Sequence, residues 1–297
     1  MILVTGANSG IGFEATRAFA AHGAHVVLGC RNEEKARAAI AAIEASVPGA
    51  SLELLTVDCG DLDSVADAAA RFRAAHDRLD VLVNNAGLMA IPHERSAQGY
   101  EMQFAVNHLA PFALTARLLD VLLGTAGSRV VAISSQGHRP GRIHFEDLQS
   151  EQRYSPWRAY FQSKLANLLF TAELQRRLAA VDADTIAVAA HPGGASTNLG
   201  HDIPGLVGTL NSIAQPVVAW ALQSAAMGAL PTERAATDPT VVGGEYYGPD
   251  GLFEQRGHPV RVKSSARARD REAAARLWSV SEQLTGVAYD ALDHPGR

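Results

Sequence analysis

The sequence opens on Ile2-Leu3-Val4-Thr5, which passes without a spacer into Gly6-Ala7-Asn8-Ser9-Gly10-Ile11-Gly12 and then into a stretch of helical periodicity. A strand joined to a helix by a glycine-rich turn leaves few architectures open, because the helix must pack back closely on the strand it has just left. The rest of the chain repeats that order. Strands are predicted over 2–5, 25–28, 52–57, 81–83, 129–133, 185–190 and near 245–247, and helices over 11–21, 33–46, 62–75, 100–123 and 157–180. Alternation with near-continuous apolar strands implies a parallel sheet covered on both faces. The expected fold is therefore α/β: a doubly wound parallel β-sheet of about seven strands flanked by helices, in a single domain over 1–297. From about Ala195 the alternation stops. Residues 198–231 read as an apolar loop and helix, and 248–297 as a C-terminal extension with a Gly/Pro-rich turn and a last helix over 270–284.

Composition excludes several functions. The 297 residues are 47% hydrophobic and 19% charged with a net charge of −5, which gives no argument for nucleic acid or an anionic membrane surface as partner. The most apolar long run, 213–230, is broken by Gln215, Pro216, Gln223 and Ser224, so no membrane span is expected. Met1 to Val4 already reads as a strand, so no signal peptide is expected. Cys30 and Cys59 form neither a disulfide framework nor a metal pattern, and a reducing cytoplasmic location suits them. His138, His144, His191 and His201 lack partners at metal-ligand spacing, so no metal site is expected.

The glycines of the first turn allow close approach to a phosphate, and the helix behind them offers free N–H groups and a positive dipole end to a pyrophosphate. This is the phosphate end of a Rossmann-type dinucleotide site. The second strand ends at Gly29-Cys30-Arg31. An acidic residue in that region would take a ribose 2′-hydroxyl; a basic one suits a 2′-phosphate. Arg31 therefore favours NADP(H), with NAD(H) the less favoured alternative. Asp58, ending the third strand, either accepts a hydrogen bond from an adenine amino group or caps the next helix.

Tyr160 and Lys164 lie four residues apart in a helical segment, one turn apart on one face. A nearby positive charge favours phenolate, so the lysine is expected to lower the tyrosine's pKa and fit it for proton transfer with an alcohol.

With these residues in view, the chain resembles a classical-type short-chain dehydrogenase/reductase. The first turn resembles that family's cofactor turn, and Asn84-Asn85-Ala86-Gly87 its signature after the fourth strand. Asn107, Ser134-Ser135, the Tyr160-x-x-x-Lys164 pair and Pro192-Gly193 followed by Thr197 stand in the family's order. Adjacent residues on a strand end point to opposite sides of the sheet, and the family uses the second such serine, which selects Ser135. The segment from His138 to Leu148, Ser163 to Asn167, Gly29-Cys30-Arg31 and His191-Pro192-Gly193 are similar to the retinol dehydrogenase-like branch.

The resemblance implies a catalytic set of Asn107, Ser135, Tyr160 and Lys164. It implies cofactor contacts from Gly6, Asn8, Ser9, Gly10, Ile11, Gly12, Arg31, Asn32, Asp58, Cys59, Asn85, Ala86, Gly87, Tyr160, Lys164, Pro192, Gly193 and Thr197. Asn84 and Gly87 read more as scaffold. It further implies a small apolar carbonyl or alcohol substrate beneath 198–231, and a homodimer or homotetramer. A dinucleotide-sensing protein without turnover is the first alternative, although it would be expected to lack Tyr160 or Lys164. An epimerase or dehydratase on the same scaffold is the second, disfavoured by the long fourth helix and single compact domain.

Overall fold

The computed structural model describes residues 1–194 and 223–293. One sheet of eight strands organises them, in the order β3-β2-β1-β4-β5-β6-β7-β8. The strands are β1 (Ile2–Thr5), β2 (His25–Cys30), β3 (Ser51–Thr56), β4 (Val81–Asn84), β5 (Arg129–Ile133), β6 (Ile186–Ala190), β7 (Tyr246–Pro249) and β8 (Pro259–Arg261). The first seven run parallel; β8 returns antiparallel to β7. The chain order reverses between β1 and β4, and the crevice at the carboxyl ends there is the binding position of an open α/β sheet.

Both faces are covered. Helix α1 (Gly10–Ala21), helix α2 (Glu33–Ser46) and a later helix over Ala225–Thr237 bury Phe19, Ile43 and Ala229 against one face. On the other lie α3 (Leu62–Ala75), the broken helix after residue 101, α7 (Pro156–Ala180) and the final helix over Arg271–Thr285, with Phe72, Phe112, Leu174 and Trp278 in that core. Local signals set the helix starts. Asn32 accepts from the Lys35 N–H at the head of α2, Asp61 accepts from the Asp63 N–H at the head of α3, and Pro156 supplies the preset φ that starts α7.

Two features depart from the sequence expectation. The helix expected over 100–123 is divided into α4 (Met102–Phe104), a π-turn over Ala105–Leu109, α5 (Ala110–Arg117) and α6 (Leu119–Leu123). The apolar periodicity of that stretch is compatible with either hydrogen-bond register. The eighth strand is absent from the sequence reading because three residues beginning with proline carry no strand signal. It is held by the turn that precedes it: the His258 N–H donates to Asp250 Oδ1 (2.9 Å), and the Asp250 N–H donates to the His258 carbonyl (2.9 Å).

Candidate active site

The crevice is a groove of about 420 Å³. Its outer end is formed by the first turn, Arg31, Asp58 and Cys59, and its inner end by Tyr160, Lys164 and Pro192. Gly6 has φ +66°, a conformation that favours glycine, and a Cβ on Gly12 would drive into the Gly6 carbonyl oxygen and the Asn85 amide. The turn is locked from below. Thr5 Oγ1 accepts from the N–H groups of Asn85 and Ala86 (both 3.0 Å), and Asn85 Nδ2 donates to the Thr5 carbonyl (2.8 Å). Ser9 at the head of α1 makes no side-chain cap bond, and the first turn of that helix holds no acid. α2 and α3 have both. The uncapped N–H groups and the closely packed glycine cradle fit a pyrophosphate.

At the ribose end the Arg31 guanidinium lies 3.9 Å from the Asp58 carboxylate, with 74% of the arginine side chain exposed. Asp58 also accepts from the Gly60 N–H at 2.8 Å, and its own N–H donates to Ser64 Oγ at 2.9 Å. Cys30 and Cys59 are both free thiols, pushed up to about 11 and about 12 by burial. Asn32 is outside the groove lining, and its side-chain oxygen is committed to the Lys35 N–H. Asn32 thus caps α2.

At the inner end, Tyr160 and Lys164 share one face of α7, as their spacing requires. The lysine Nζ lies 5.8 Å from the tyrosine ring centre and donates to the Ile133 carbonyl at 3.1 Å. Burial pushes the Tyr160 phenol up, and a hydrogen bond with the Ser135 side chain opposes it. Burial also brings Lys164 down to about 8. Lys164 is not among the causes that shift Tyr160: both groups lose water, and loss of water favours the neutral form of each. The two serines do diverge. Ser134 Oγ donates to the Lys164 carbonyl (2.8 Å) and is buried, whereas Ser135 turns towards Tyr160 and accepts from the Gly137 N–H (3.1 Å).

Asn107 sits in the π-turn. Its Oδ1 accepts from the Leu88 N–H (2.7 Å), and its Nδ2 donates to the Leu88 carbonyl (2.9 Å) and to Ser163 Oγ (2.8 Å). The asparagine clamps the segment after β4 to α7. A Cβ on Gly87 would lie 3.3 Å from Lys164 Nζ and 3.2 Å from Asn107 Oδ1, so the glycine keeps the space above the ammonium open. Asn84 is scaffold: it is buried and donates to Thr115 Oγ1 at 3.1 Å. Leu88, Met89, Ala90 and Ile91 form a groove wall that no sequence signal announced.

Beside Tyr160, the loop after β6 is braced by the C-terminal extension. His191, fully buried, pairs through Nε2 with Glu254 at 3.0 Å and accepts from the Gly193 N–H at 3.2 Å. Glu254 also meets Arg139 at 2.9 Å and accepts from Gln136 Nε2 at 2.5 Å. Pro192 and Ser134 line the groove; Ser135, Asn107 and Gly193 are not among its lining residues. Thr197, and residues 198–222 of the expected covering segment, lie outside the described residues.

This geometry is that of a dinucleotide-dependent dehydrogenase, and the chain belongs to the short-chain dehydrogenase family, whose model matches residues 1–204. Its relatives place it with the retinol dehydrogenase-like branch. Human retinol dehydrogenase 13 is 38% identical over 290 residues, covering 96% of this chain and 84% of that protein. Mouse retinol dehydrogenase 11 is 44% identical over 191 residues, 64% of this chain and 60% of that protein. A crystal structure of an uncharacterized protein from Mycobacterium Paratuberculosis has a TM-score of 0.79 at 41% identity, covering 97% of this chain and 94% of that one. A Shigella flexneri short-chain dehydrogenase complexed with NADP has a TM-score of 0.63 at 28% identity, covering 82% of this chain and 94% of that one. The chain is thus an oxidoreductase acting on CH–OH or carbonyl groups with a nicotinamide dinucleotide. Among the described residues no helix is long and apolar enough to cross a membrane.

Proposed function

We propose that this enzyme interconverts an apolar alcohol and its carbonyl compound with NADP(H), in a reducing compartment such as the cytoplasm. The observation that carries the reading is the joining of two ends in one groove: a basic residue, Arg31, at the ribose end and the Tyr160–Lys164 pair, with Ser135 beside the tyrosine, at the other. The nicotinamide supplies or takes the hydride. Tyr160 donates a proton to the substrate oxygen in reduction and accepts one in oxidation. Ser135, on the Tyr160 side of the strand end, holds the substrate oxygen and stabilises the charge that grows on it. Lys164 brings a positive charge under the groove and, through the space left at Gly87, reaches ribose hydroxyls.

Asn107 has its side chain fully engaged with Leu88 and Ser163. We assign it to holding the π-turn and the segment beside Lys164, in place of direct contact. Arg31 supports NADP(H) because a guanidinium suits a 2′-phosphate. An apolar substrate is supported by Leu88, Met89, Ile91 and Val106 along the groove.

The test is oxidation of NADPH and NADH followed by absorbance with a panel of apolar aldehydes and ketones. Turnover with NADPH is expected for at least one member. Tight NADPH binding without turnover by any member would replace this reading with a dinucleotide sensor.

A further inference from the structure

The other end of the sheet holds a second cluster of chemistry-bearing side chains. His25 begins β2, Glu53 lies in β3, and His76 caps the C-terminus of α3. Their ligand atoms all lie within 4.8 Å of one another. Glu53 Oε2 is 3.2 Å from His25 Nε2 and 3.1 Å from His76 Nε2. We propose that His25, Glu53 and His76 form a binding site for a divalent transition metal of the zinc type.

The spacing supports this. Four ligands at ~2.1 Å around zinc stand ~3.4 Å apart, close to the nitrogen–oxygen separations seen here. Two imidazoles and one carboxylate suit zinc and its neighbours, and three protein ligands leave a position for water. The ligands also sit on three separate regular elements. The His76 N–H donates to the Phe72 carbonyl at 2.8 Å, and its ring packs on Phe72 with centres 4.9 Å apart.

A further contact orients the first imidazole. His25 Nδ1 lies 2.7 Å from Ser51 Oγ, the residue paired with His25 across β2 and β3. A serine hydroxyl both donates and accepts. Without metal it donates to Nδ1, leaving the Nε2–H for Glu53. With metal it accepts from the Nδ1–H, freeing the Nε2 lone pair. That is the outer partner a metal-bound histidine ordinarily has. The competing reading is a metal-free chain in which both rings donate to Glu53. His25 and His76 are 51 positions apart, so residue spacing alone gave no hint of the cluster.

A bound ion would tie the edge strand β3 to β2 and α3. The test uses tag-free protein stripped by chelator and titrated with Zn²⁺ and Co²⁺. One equivalent should bind, with the visible ligand-field bands of four- or five-coordinate cobalt, and Zn²⁺ should raise the melting temperature. His25→Gln and His76→Gln should each lose the bands and the thermal shift and weaken binding at least ~10-fold. His22→Gln, an exposed residue outside the cluster, should change neither. X-ray absorption of the zinc-loaded native protein should count two imidazoles, a readout that does not depend on the variants folding. Absence of binding, binding unchanged in both variants, or zinc without imidazole ligands would overturn the proposal.

Discussion

Replacing Arg31 with alanine tests the cofactor assignment most directly. The guanidinium is 74% exposed and lies 3.9 Å from the Asp58 carboxylate, so it is held loosely and open to an incoming anion. A hydrogen bond to a charged group contributes about 1.5–3 kcal/mol. Solvent screening at so exposed a position takes the lower part of that range, about 1.5–2 kcal/mol. At about 1.4 kcal/mol per decade, NADPH should bind roughly 10- to 30-fold more weakly to the variant. NADH carries a hydroxyl where NADPH carries the phosphate, so its affinity should change by less than about twofold. Fluorescence titration of both nucleotides at two ionic strengths reads the effect. The NADPH affinity of the native protein should fall with salt more steeply than that of the variant. Equal losses for the two nucleotides would remove the argument for NADP(H).

Three further outcomes are expected. Tyr160→Phe should lower kcat by about 10²- to 10⁴-fold while NADPH affinity stays nearly unchanged, and retained turnover would sink the proton-transfer role. Gly12→Ala should abolish nucleotide binding and lower the melting temperature, because the added Cβ meets the Gly6 carbonyl and the Asn85 amide; normal binding by titration would refute the cradle. Lys164→Met should stabilise the nucleotide-free fold at pH 7 while ending turnover. Burial holds Lys164 at about 8 against 10.5, so below pH 8 the fold carries a desolvated ammonium at a cost of roughly 3 kcal/mol. That cost relaxes between about pH 8 and 10.5, so the gain should vanish towards pH 10.5. The Ile133 carbonyl keeps Asn167 as donor in the variant. Denaturant melts at both pH values measure this, and a loss of stability at pH 7 would refute it.

Much of the fold was legible because strand and helix ends carry their own chemistry. The runs at Ile2–Thr5, Glu33–Ser46, Leu62–Ala75 and Arg129–Ile133 match the expected bounds, with Asn32 and Asp61 capping where a polar residue precedes a helix. The π-turn at Ala105–Leu109 was not legible, since Ala-Val-Asn-His-Leu suits an α-helix equally and the register is set by Asn107 reaching across to Leu88 and Ser163. That Tyr160 and Lys164 share a face followed from their spacing; strand alternation separated Ser134 from Ser135, and the family resemblance chose between them. The direction of the Tyr160 shift did not follow, because it depends on how much water reaches the phenol, which residue spacing does not encode. The wall from Leu88 to Ile91 was equally hidden: Ala90 takes φ +51° without a glycine to announce it.

The bracing of His191 by Glu254 has a consequence for how members of such a family diverge. Glu254 stands in a short hairpin that lies 63 positions beyond His191 and carries none of the proton-handling residues. A change in that hairpin bears on the Pro192–Gly193 turn through His191 and on the segment after Ser135 through Gln136 and Arg139, whereas Tyr160 and Lys164 stand on α7. Selection, or an engineer grafting hairpins between relatives, therefore has a steering point for one wall of the groove that lies outside the helix carrying the proton-transfer pair.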